Sequence, residues 1–138
     1  PRFLTPQQDR QVRRWLARVA HDSEAGDARA TLLLKYTAEA LALLRDLSEP
    51  PRPEGAAADL KPVRQSRRYL VWRISHPYDP EAAVRLICWF PPDAKTVVVA
   101  VSAGEKSRIG DVWYNAVADR ADALIDQWKR EVRYDRDA

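Results

Sequence analysis

The hydrophobic positions change their period twice along the chain, and those changes divide it into helical, extended and again helical parts. Val12, Trp15, Leu16 and Val19 recur at i, i+3, i+4 and i+7, the spacing of one helical face. Thr5-Pro6 supplies an N-cap and a first-turn proline for this helix, which should end near His21. Asp27, just after Gly26, can cap the orphan amides of a second helix. There Leu33, Thr37, Ala40, Leu44 and Leu47 form a stripe, widened by Leu32, Tyr36, Leu41 and Leu43. The two segments predict a helical hairpin over about 7–47. A proline-rich loop over about 48–59 stops the second helix, because proline lacks an amide donor and clashes with the preceding turn.

Past that loop the period becomes two. Leu70, Trp72 and Ile74 alternate with Tyr69, Val71 and Arg73, and Val84, Leu86, Cys88 and Phe90 alternate with Arg85, Ile87 and Trp89. Ser75-His76-Pro77-Tyr78-Asp79-Pro80 and Pro91-Pro92-Asp93-Ala94 are turn chemistry, and Thr96 to Ser102 is a third, valine-rich strand. Strands joined by short turns should pair as an antiparallel meander within about 62–102. A simple hairpin register would set Arg73 close to opposite Arg85, an unfavourable like-charge pair that asks for an anion or for carboxylates from elsewhere. Helical spacing returns from Asp111, with Val117, Ala121, Leu124, Trp128 and Val132 facing a core up to about 133. The expected fold is α+β within one domain over 1–138: an N-terminal helical hairpin on a small antiparallel sheet of three to four strands, then a C-terminal helix.

Composition narrows the chemistry. The 138 residues are 46% hydrophobic and 31% charged, a globular balance, and no apolar run nears the roughly 20 residues of a membrane span. No secretory leader is legible at the start, so the expected setting is cytoplasmic, without membrane partners. One cysteine allows no internal disulfide, and two histidines argue against a dedicated metal site; no cofactor is expected. The net charge of +3 hides a local block: Leu60 to Tyr78 contains Lys61, Arg64, Arg67, Arg68 and Arg73, with His76, and no acidic residue. Such a block suits an anionic partner, nucleic acid or an acidic protein, or else a plain solvated surface.

No glycine-rich phosphate loop or zinc-protease motif is present, and Cys88 in an apolar strand reads as an inert buried thiol. Arginine, lysine, tyrosine and histidine remain: cations that neutralise phosphate, and groups that move protons. That inventory suits metal-free cleavage of RNA through its own 2′-hydroxyl, with guanidinium groups stabilising the charge gathered on phosphate. It equally suits nucleic-acid binding without catalysis. Arg73 and Arg85 could instead pair with Asp111 or Asp119, Tyr114 could simply pack its ring, and His76 could be an ordinary surface histidine. Trp89 and Trp113 could stack on a base, although packing is the simpler role.

The ordered segments Leu70-Val71-Trp72-Arg73, Val84-Arg85-Leu86, Gly104-Glu105-Lys106 and Trp113-Tyr114, with Ala121-Asp122 downstream, resemble the RelE/ParE toxin superfamily, and most of all its phage-derived, HigB-like branch. The resemblance spans about residues 10–132. It implies the toxin of a type II toxin–antitoxin system: a metal-independent endoribonuclease that cuts mRNA on the ribosome. The implied partners are mRNA, the ribosome and a cognate antitoxin of helix-turn-helix type with an acidic binding segment. Arg85 with Lys106 or Arg108 would contact the scissile phosphate, Tyr114 would orient or deprotonate the 2′-hydroxyl, and Arg73 would line the same face. Lys61, Arg64, Arg67, Arg68 and His76 would bind RNA. A gyrase inhibitor of the ParE kind and a non-catalytic regulator are the competing expectations.

Overall fold

The computed structural model describes residues 2–3, 12–47, 49–55, 59–77, 82–92, 97–108 and 110–137. In chain order these form β1 (Arg2–Phe3), α1 (Val12–Glu24), α2 (Ala28–Arg45), β2 (Leu60–Pro62), β3 (Trp72–His76), β4 (Val84–Trp89), β5 (Val97–Glu105) and α3 (Asp111–Asp137). The fold is α+β, as the pattern predicts. β2 to β5 make an antiparallel meander, and β1 adds in parallel beside β5, giving the order β1-β5-β4-β3-β2.

The helical hairpin forms where the apolar stripes place it. Val12, Trp15 and Val19 of α1 are buried, as are Leu33, Thr37, Ala40 and Leu44 of α2. The expected start of α1 after Thr5-Pro6 lies outside the described residues. Its end is a glycine-terminated turn: Gly26 has φ of 95°, its N–H donates to the Ser23 carbonyl, and the Asp27 N–H reaches back to Asp22. Asp27 then caps α2, accepting from the amides of Arg29 and Ala30. Inside the hairpin the Trp15 indole donates to Thr37 Oγ1 at 3.1 Å, and that hydroxyl donates to the Leu33 carbonyl at 2.7 Å. A polar residue in the α2 stripe therefore satisfies the donor that a buried tryptophan brings with it.

Alternation sorts the strands onto two cores. Trp72, Ile74, Val84, Leu86, Cys88 and Val98 face α1 and α2, while Val71, Ile87, Trp89, Val97, Val99 and Val101 face α3. α3 closes this second face with Tyr114, Val117, Ala121, Ile125 and Trp128, and Trp89 meets both Trp128 and Tyr69 edge-on. Trp89 is thus a core residue, the simpler of its two expected roles.

Several element bounds differ from expectation. β3 begins at Trp72 rather than Tyr69, because Arg68 and Tyr69 give their amides to Asp122 of α3 instead of to a strand. β2 pairs outside β3 and was hidden by its brevity; its Pro62 suits an edge that needs no further donor. β5 runs on to Glu105, and α3 continues to Asp137. The register also departs from the simple hairpin. Ser75, not Arg73, lies opposite Arg85, and Arg73 sits opposite Ile87 on one side and Lys61 on the other. The like-charge pair across the sheet is therefore Lys61–Arg73, with Arg85 diagonal to it. Further along, Ile87 pairs with Ser102 but Cys88 with Ala100, so Val101 is the extra residue of a bulge. The bulge sets Gly104 opposite Arg85 and turns Glu105 toward α2, where it meets Arg29.

Candidate functional site

The α3 side of the sheet carries a polar hollow at its β2–β3 end. Lys61, Arg73 and Ser75 fall on this face by alternation, as does Arg85 of β4. Arg85 is flanked across the strands by Ser75 and Gly104. The first turn of α3 brings Tyr114 over the same place, and Arg85 Nη1 donates to the Tyr114 hydroxyl at 2.8 Å. The guanidinium carbon stands 5.8 Å from the centre of that ring. Arg73 Nη1 donates to Ser75 Oγ at 3.1 Å. Arg64, Gln65 and Asp111 complete the lining of a cavity of about 230 Å³ around Arg73, Arg85 and Tyr114.

The electrostatics of this hollow are uneven. Among the described residues, Lys61, Arg73 and Arg85 form no ion pair, and Arg85 Nε is buried without a hydrogen-bond partner. An anion is the ligand that such a group of guanidinium donors accepts most readily. Neither Arg73 nor Arg85 pairs with Asp111 or Asp119, the bland alternative the sequence left open.

The basic loop that follows β2 fares differently. Arg67 pairs with Asp119 at 2.6 Å, Arg68 pairs with Asp126, and Arg64 stands 4.0 Å from Asp111. Asp122 accepts from the amides of Arg68 and Tyr69, each at 3.1 Å, and the Tyr69 hydroxyl donates to Asp126 at 2.5 Å. Ser66 closes the loop from within: its hydroxyl donates to Val63 and accepts from the Val71 amide. The acidic positions 111, 119, 122 and 126 recur at helical spacing on α3, so one stripe of carboxylates fastens the loop to the helix. Arg67 and Arg68, expected to bind RNA, are engaged in holding this loop. Arg64 alone of the three also lines the hollow.

Other expected site residues separate from the cluster. His76 is on the opposite face of β3, where Nε2 lies 2.6 Å from Glu39 Oε2 and the ring meets Tyr36 edge-on. Alternation makes this inevitable, because residues 73 and 76 are an odd number of positions apart. Lys106 opens the short 3-10 turn after β5, its amide bonded to the Ala83 carbonyl, and it is not among the residues around the hollow. The side chain of Arg108 lies outside the described residues. Burial pushes the Cys88 thiol far above its ordinary range, in keeping with an inert core cysteine.

Sequence reasoning did not place Asp111 in the hollow, nor recognise Asp122 as the clasp of the loop. The acidic spacing on α3, set against an acid-free loop, was the signal available for both. No family model, curated protein or solved structure matches the chain. Among the described residues no helix is long and apolar enough to cross a membrane.

Proposed function

We propose that the hollow around Arg73, Arg85 and Tyr114 binds an RNA phosphodiester, and that the chain is a toxin of the RelE/ParE kind that cuts mRNA. The observation carrying this reading is the Arg85–Tyr114 contact, a guanidinium without a carboxylate donating to a phenol in a pocket that Arg73 also lines. The 2′-hydroxyl attacks the adjacent phosphorus, the bond to the 5′-oxygen breaks, and the products are a 2′,3′-cyclic phosphate and a free 5′-hydroxyl. Negative charge gathers on the non-bridging oxygens, where Arg73 and Arg85 are arranged to meet it. Tyr114 accepts its hydrogen bond from Arg85, so its own proton is left to donate to the departing 5′-oxygen. Asp111, the carboxylate lining the same hollow, takes the proton of the attacking 2′-hydroxyl.

The reading extends to its partners. The ribosome presents the mRNA in the cytoplasm, and an antitoxin with an acidic segment covers the cations, so its association should slow as salt rises. The test is primer extension on mRNA in a reconstituted translation reaction, with wild type and Arg85→Ala side by side, with and without ribosomes. New 5′ ends that require both Arg85 and ribosomes are expected. Intact message with normal translation overturns the nuclease reading, and a gyrase supercoiling assay then decides for or against the ParE-like alternative.

A further inference from the structure

A second hollow, of about 430 Å³, lies on the other side of the first turn of α3, where that turn approaches the end of β5 and the start of α2. It falls within the roughly 300–1,000 Å³ that small-molecule sites span. Its walls carry two indoles, Trp15 and Trp113, with Arg18 stacked 5.1 Å from the centre of the Trp15 ring. Its polar groups come in both kinds: Arg18 and Arg120 donate, Asp22 accepts, and Ser102 does either. Arg29 and Glu105, also in the lining, neutralise each other, and Asp27 is occupied in capping α2. Unlike the cationic hollow around Arg85, this one is balanced in charge.

Balanced charge, aromatic walls and mixed donors and acceptors suit a flat heterocycle whose edge both gives and takes hydrogen bonds. We propose that this second hollow seats an unstacked nucleobase of the same RNA strand whose phosphate lies at Arg85. The proposal rests on the RNA reading above. Its geometry comes from two consecutive residues: Tyr114 lines the phosphate hollow and Trp113 the second one, their rings edge-on at 5.2 Å and 84°. A strand held at one hollow reaches the other by crossing a single helical turn. Trp113 is the stacking platform, and Arg120, Asp22 and Ser102 meet the base edge.

The test is photo-crosslinking of a 4-thiouridine-substituted mRNA, free and on programmed ribosomes, with the adducts mapped by mass spectrometry. Affinity for the same RNA is measured in parallel for wild type, Trp113→Ala, Trp113→Phe and Arg120→Ala. Crosslinks in the peptides bearing Trp113 or Ser102 are expected. Trp113→Ala should weaken binding about tenfold or more, and Trp113→Phe should restore most of it, because stacking needs a ring rather than an indole. Arg120→Ala, at an exposed position, gives an independent reading should Trp113→Ala fail to fold. Crosslinks confined to other peptides, with Arg120→Ala at wild-type affinity, overturn the second site while leaving the Arg85 hollow standing. Absence of any crosslink, together with intact message, overturns the RNA reading and this one with it.

Discussion

Replacing Asp122 tests whether α3 positions the candidate site by gripping the β2–β3 loop. The carboxylate accepts two backbone amides, those of Arg68 and Tyr69, at 3.1 Å each. A hydrogen bond to a charged group contributes about 1.5–3 kcal/mol when well shielded, and less where water can replace it. The Arg68 amide is exposed and can rehydrate, whereas that of Tyr69 is half-buried and cannot do so fully. Asp122→Ala should therefore cost about 2 kcal/mol, near one shielded bond rather than two. With an unfolding entropy of about 2.1 cal/mol/K per residue, a chain of 138 residues changes by roughly 0.3 kcal/mol per degree, so the loss is about 7 °C in Tm. Asp122→Asn keeps one acceptor and should fall between the two. Thermal unfolding followed by circular dichroism measures the shift. The same loop carries Arg64 and Gln65 to the rim of the hollow, so RNA cleavage should drop with the grip even at temperatures where Asp122→Ala is fully folded. A Tm within about 1 °C of wild type would refute the reasoning, because it would mean the two amides gain nothing from the carboxylate.

Three further outcomes are expected. Thr37→Val keeps the shape of a fully buried side chain but orphans the Trp15 indole, costing about 1–3 kcal/mol; adding Trp15→Phe should make the second change much cheaper than it is alone, which a double-mutant cycle in urea will show. Tyr114→Phe removes only the hydroxyl that accepts from Arg85, so cleavage and growth arrest should fall sharply while Tm moves by no more than a few degrees; full toxicity of this variant would remove Tyr114 from the mechanism. The buried Cys88 thiol is held neutral in the fold, while the unfolded chain ionises near its ordinary 9.0. Its contribution is therefore complete below that pH and is lost above it, by up to about 1.4 kcal/mol per pH unit. Stability measured from pH 8 to 10 should fall more steeply for wild type than for Cys88→Ala, and parallel slopes would contradict the buried thiol.

What was legible in the sequence was whatever depends on neighbours along the chain. The period of the apolar residues marked α1, α2 and α3, and alternation marked β4 and most of β3 and β5, because side-chain direction repeats every 3.6 residues in a helix and every two in a strand. Asp27 was recognisable as a cap because its partners are only two and three residues away. Arg73 and Arg85 were legible as cations suited to an anion, Tyr114 entered only through the family resemblance, and the three line one hollow. β1 and β2 were not, since two or three residues hold no period and gain strand character only from a partner.

Register and charge pairing belonged to the tertiary structure. A bulge at Val101 and a two-residue offset between β3 and β4 decide that Arg85 faces Ser75 and Gly104, and neither leaves a mark in local propensity. The same holds for the basic loop. Arg64, Arg67, Arg68 and Arg73 look alike in the sequence, yet Arg67 and Arg68 meet carboxylates of α3, about 50 residues away, and Arg73 does not. A charge is available to a ligand only when no nearer partner neutralises it, and that nearness is set by how α3 crosses the sheet.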